Sequence, residues 1–88
     1  MKDLETLCKT IKQMTWDNDH TGAKLAISNH FGLTGFATIF RAIEEIHGVE
    51  GSMPFDLGAY RRRKGDELLN AIRQEHGEAV YQQVYDSL

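Results

Sequence analysis

The chain has 88 residues, 41% hydrophobic and 26% charged, with a net charge of −3 and a single cysteine. That length makes one domain, residues 1–88, and the balance of apolar and charged side chains excludes a disordered chain. A lone Cys8 excludes an internal disulfide and a cysteine-built zinc site; no apolar run approaches the ~20 residues of a bilayer span, and Lys2, Asp3 and Glu5 exclude the apolar start of a signal peptide, so the expected setting is the cytoplasm.

β-Branched residues are sparse, whereas Leu, Ala, Glu, Lys and Arg are common, which favours helices. Asp3 can cap a first helix in which Leu4, Leu7, Cys8, Ile11 and Met14 recur at helical spacing. Trp16 to Gly22 reads as a polar turn. Asp19 or Thr21 can cap the next helix, Ala23 to about Phe31, and Gly32 can end it in the left-handed conformation that glycine adopts cheaply. Thr34 caps a third helix. Its stripe of Phe36, Ile39, Phe40, Ile43 and Ile46 is the clearest in the chain and is expected at the core. Gly48 to Met53 reads as a loop, with a helix starting near Pro54 or at Asp56. In the segment Tyr60–His76, Leu68, Leu69 and Ile72 share one face. Gly65 inside it costs about 1 kcal/mol against alanine, and Asp66 can cap a fresh helix, so a kink or break is expected there. Gly77 sets off a last helix with Val80, Tyr81, Val84 and Leu88 at helical spacing. The expected fold is all-α, a small compact bundle of about five short helices.

Ala23 to His47 approaches the pattern of a DNA-reading helix-turn-helix. That motif places a small residue four before the turn glycine and apolar residues one, six and nine after it. With Gly32 as the turn, Ser28 and Leu33 fit, but Thr38 and Arg41 stand where apolar residues belong. The apolar residues come one step later, at Ile39 and at Ala42–Ile43. One inserted residue rotates the second helix by about 100°. The exposed face would then offer Thr34, Thr38 and Arg41 to DNA, but Glu44 and Glu45 would repel its phosphates.

Charge is unevenly spread. Residues 1–30 balance four basic against four acidic side chains, and residues 31–60 set Arg41 against Glu44, Glu45, Glu50 and Asp56. Arg61, Arg62, Arg63 and Lys64 then run together, and the remainder carries one Arg against five acids. Four adjacent cations spread around a helix; pairing of Arg62 with Asp66 and of Arg63 with Glu67 is expected. The rest can grip an acidic surface or phosphates, since the arginine fork binds both carboxylate and phosphate.

Other constellations are fragmentary. Asp17 to Gly22 opens like a calcium-binding loop, but Lys24 at the eighth position and Ser28 at the twelfth break the pattern. His20, His30, His47 and His76 are dispersed, and His47 and His76 each precede a glycine near an expected helix end, where a partly charged imidazole suits the dipole. Cys8 lies on an apolar stripe and reads as a core residue. No phosphate loop or nucleophile elbow is visible, so neither an enzyme nor a cofactor or metal site is expected. Trp16, Phe55, Tyr81 and Tyr85 are candidate interface anchors, Tyr81 being the one expected in the core.

Together these features point to a non-enzymatic binding protein with a macromolecular partner, protein rather than DNA, in the manner of the small inhibitors and adaptors that phages and mobile elements encode; a homodimer is compatible with this. Either Glu44, Glu45, Glu50 and Asp56 occupy a nucleic-acid-binding groove in place of phosphates, or Arg61 to Lys64 hold an acidic partner. The alternative is a dimeric helix-turn-helix regulator reading DNA through Thr34, Thr38 and Arg41.

Overall fold

The computed structural model describes residues 2–46 and 57–88, with side chains from Leu4 and from Leu57 onward in the two stretches. Among the described residues the chain forms five helices and no strand: α1 Lys2–Trp16, α2 His20–His30, α3 Thr34–Ile46, α4 Leu57–His76 and α5 Glu78–Asp86. The fold is the expected all-α bundle. The expected loop from Gly48 to Met53, with Pro54 and Asp56, lies outside the described residues, as do His47, Glu50 and Phe55.

The first two connections are built alike. At the end of α1 the Asp19 amide donates to the Met14 carbonyl at 2.8 Å and the Asn18 amide to the Thr15 carbonyl at 3.0 Å. At the end of α2 the Leu33 amide donates to Ser28 at 2.9 Å and the Gly32 amide to Asn29 at 3.3 Å. Both are Schellman turns, which satisfy carbonyls a helix end leaves without partners. Each needs one left-handed residue, supplied by Asn18 at φ 67° and Gly32 at φ 70°. The sequence placed Gly32 correctly but read Trp16–Gly22 as one long turn. The structure shortens it, because the Asp19 carboxylate caps α2 by accepting from the Gly22 amide at 2.9 Å, and α2 starts at His20. Asp3 lies inside the first turn of α1 rather than ahead of it.

The core is a single cluster fed by all five helices: Leu7 and Ile11, Ala23 and Ile27, Phe40 and Ile43, Leu68, Leu69 and Ile72, and Val84. The α1 stripe is buried at Leu7 and Ile11 and half-buried at Leu4, Cys8 and Met14. In α3 the buried line is Ala37, Phe40 and Ile43, with Phe36, Ile39 and Ile46 half-buried on its flanks. α2 pairs extensively with both α1 and α3, and α5 folds back along α4. Gly77, at φ 94°, is the one residue between α4 and α5. Across it Arg73 bonds Glu78 at 3.2 Å and lies 4.0 Å over the Tyr81 ring.

α4 is continuous through Gly65, against the expected kink or break. The glycine is buried, and a Cβ built on it would stand 3.0 Å from Lys24 Cδ. Its place in the helix is thus set by what crosses it: the Lys24 side chain from α2 lies over the bare backbone. The roughly 1 kcal/mol preference against glycine does not break a helix whose following turns bury Leu68, Leu69 and Ile72 in the core.

Candidate functional site

The cationic run Arg61 to Lys64 occupies the N-terminal half of α4. Successive residues of a helix are rotated by about 100°, so the four fan out rather than sharing one face. Arg62 and Arg63 are exposed; Arg61 and Lys64 are half-buried. Lys64 takes Glu67 as its partner at 3.3 Å. Arg63 and Lys64 lie 5.2 and 5.7 Å from the centre of the Tyr60 ring, within reach of a cation–π attraction. The expected Arg62–Asp66 and Arg63–Glu67 pairs do not form. Glu67 is engaged by Lys64, and Arg63 turns back over Tyr60. Among the described residues, Arg61, Arg62 and Arg63 have no ion pair.

Lys24 adds a fifth cation that no motif of the sequence marks. It reaches across Gly65, and its Nζ lies 3.7 Å from the point a Cβ at 65 would occupy. Burial holds its pKa below the ordinary lysine value, Arg61 pushes it the same way, and Asp66 acts in the opposite direction. Two weak signals in the sequence bear on it: a lysine inside the apolar run Ala23–Ile27, and a glycine inside an otherwise regular helix. Only tertiary structure joins them.

The residues of the helix-turn-helix reading fall where its one-residue misfit implies. Ser28 is buried, and its hydroxyl donates to the Lys24 carbonyl at 2.9 Å. Thr34, Thr38 and Arg41 are all exposed on α3, and the Thr38 hydroxyl donates to the Thr34 carbonyl at 3.0 Å. Glu45 continues the same stripe, with Glu44 beside it, both exposed. Of the four candidate acids, Glu50 and Asp56 lie outside the described residues.

Other candidates have local partners. Asp17 accepts from Gln13 Nε2 at 3.3 Å, while Asp19 serves as the α2 cap, so the calcium-like segment is a helix connection. Among the described residues no three His, Cys, Asp or Glu side chains lie where they could share a metal ion. Cys8 Sγ donates weakly to the Gln83 carbonyl at 3.7 Å, and both residues line an open α1–α5 groove of about 620 Å³. Phe31 joins the ends of α2 and α4, its ring centre 4.8 Å from those of both His30 and His76. Tyr81 is half-buried beneath Arg73, while Tyr85 is exposed and Trp16 is 85% exposed beside Lys9 and Lys12. No described helix is long and apolar enough to cross a membrane.

No family model matches the chain, and neither does any curated protein or solved structure. The class that the fold defines is a small all-α bundle, with three arginines on α4 that have no ion pair among the described residues.

Proposed function

We propose that this chain is a non-enzymatic binding protein, of inhibitor or adaptor type, that docks on an acidic protein surface through the N-terminal half of α4. The observation that carries this reading is that Arg61, Arg62 and Arg63 have no ion pair among the described residues although Asp66 stands one turn from Arg62. An exposed ion pair contributes little to stability, so leaving the exposed Arg62 and Arg63 without one costs the fold little and keeps them at the surface. Arginine is suited to the task because its planar fork binds carboxylates bidentately. A protein partner is favoured over DNA because the chain carries a net charge of −3 and exposes Glu44 and Glu45 beside the Thr34–Arg41 stripe.

The test is a titration of the protein with a fluorescent glutamate-rich peptide and with duplex DNA, each at about 50 mM and about 200 mM salt. The acidic peptide is expected to bind, to weaken with salt, and to lose at least about tenfold in affinity in the double variant Arg62→Glu, Arg63→Glu. Undiminished binding by that variant would refute the α4 assignment. Sequence-selective duplex binding that is lost on Arg41→Ala would instead establish the helix-turn-helix reading.

A further inference from the structure

Gly65 opens a notch in α4 that Lys24 fills with its aliphatic stem, placing the ammonium at the helix surface. Arg61 precedes Gly65 by four residues and so lies on the same face of α4. Lys24 and Arg61 are both half-buried, and their charges are near enough to oppose one another. Asp66 is near enough to offset this in part, but among the described residues no carboxylate lies within ion-pair distance of either cation. Two partly desolvated like charges without a counter-ion are costly, and an anion seated between them removes that cost.

We propose that Lys24 and Arg61, converging beside Gly65, form a binding site for a single phosphate group, either free or carried on a partner's phosphorylated side chain. A phosphate carries between one and two charges at neutral pH and at least three acceptor oxygens, which matches two cations better than a carboxylate does. Arg61 can offer its fork to two of those oxygens and Lys24 a point charge to the third. The site shares Arg61 with the docking face but does not depend on it, because Lys24 belongs to α2.

The experiment follows amide and side-chain nitrogen resonances, together with the melting temperature, as inorganic phosphate replaces chloride at constant ionic strength. Saturable shifts centred on Lys24, Arg61 and Gly65 are expected at millimolar phosphate, with a melting temperature a few degrees above the chloride control. Lys24→Gln is expected to weaken this response by about tenfold or more. Gly65→Ala, which fills the notch and evicts Lys24, is expected to do the same while circular dichroism shows the helices intact. Asp66→Asn is expected to tighten phosphate binding, since it removes the opposing carboxylate.

A second arm compares an acidic peptide with and without phosphoserine. A phosphopeptide bound at least about tenfold more tightly than its unmodified form identifies a partner-borne phosphate. Equal peptide affinities with a saturating response to inorganic phosphate identify the free ion. Equal effects of phosphate and chloride, or a phosphate response that survives Lys24→Gln, would overturn the site. The two readings fail separately, because Arg62→Glu with Arg63→Glu removes the docking face and leaves Lys24 and Arg61 in place.

Discussion

Gly32 has open space where a Cβ would point, but its φ is +70°. Gly65 lies in a regular helix, and its Cβ position is taken by the Lys24 stem. One position is therefore glycine for its dihedral angle and the other for room, and alanine separates the two causes. Gly32→Ala forces a left-handed alanine at a cost of roughly 1–2 kcal/mol. Gly65→Ala gains up to about 1 kcal/mol of helix preference and displaces only the end of a flexible side chain, so it is expected to be neutral or stabilising. Urea denaturation of both variants measures the difference; equal losses would mean that Lys24 is rigidly held. Lys24 also makes stability depend on pH. Its proton is bound less firmly in the folded chain than in the unfolded one, because its folded pKa is lowered from 10.5. Between that lowered value and 10.5 the unfolded chain holds more protons, so stability climbs as pH rises through this alkaline window. At neutral pH the full cost of charging Lys24 is present. Lys24→Met is expected to raise neutral-pH stability by about 0.5 kcal/mol or less, given partial solvent screening, and to flatten the alkaline rise. An unchanged pH profile in thermal melts would refute this assignment.

α3 shows at the scale of one element which parts of the molecule its sequence makes legible. The burial of Phe40 and Ile43 follows from the apolar spacing, whereas Thr34, expected as the cap, is the first residue of the helix itself. The burial of Ala37 does not follow from that spacing, because alanine is too small to mark a face by hydrophobicity alone. The same limit applies to α4. Its apolar face at Leu68, Leu69 and Ile72 is legible, whereas the use of the space at Gly65 by a lysine 41 positions earlier in the chain is not. Its ion pairs depart from helical spacing, which favours Arg62–Asp66 and Arg63–Glu67, because Arg63 lies over the Tyr60 ring and Lys64 takes Glu67. The candidate docking residues were therefore legible as a cluster, but Lys24, its partner across the bundle, was not. The phase of α3 has a direct test in two adjacent residues. Phe40 is wholly buried and Arg41 exposed. Phe40→Ala is expected to cost about 3–5 kcal/mol and Arg41→Ala no more than about 0.5 kcal/mol. A large loss at Arg41 would place that residue in the core, as the unshifted helix-turn-helix register requires.

The whole molecule measures 42 × 25 × 18 Å and is held by two kinds of contact. Short turns tie α1, α2 and α3 into one group and α4 and α5 into another, which alone would allow two separately melting halves. Against this, Leu68 and Ile72 of α4 are wholly buried in the same cluster as Ile11, Ile27 and Phe40. Apolar burial contributes about 25 cal/mol per Å², and a chain of 88 residues has little core to divide between two units. The shared cluster should win, so the bundle is expected to unfold as one cooperative unit. Ile72→Ala provides the test, with an expected cost of about 2–5 kcal/mol. In amide hydrogen exchange this loss should lower the protection of the slowest amides in α1 as much as in α4. Loss confined to α4 and α5 would show two units instead. The outcome bears on function, because Lys24 and Arg61 stand on opposite sides of the seam between the groups. If the unit is single, their convergence lasts as long as the fold does, and the oxyanion site is built before its ligand arrives. If the halves open independently, phosphate would bridge them, and its stabilising effect should appear chiefly as slower exchange across the α2–α4 contact.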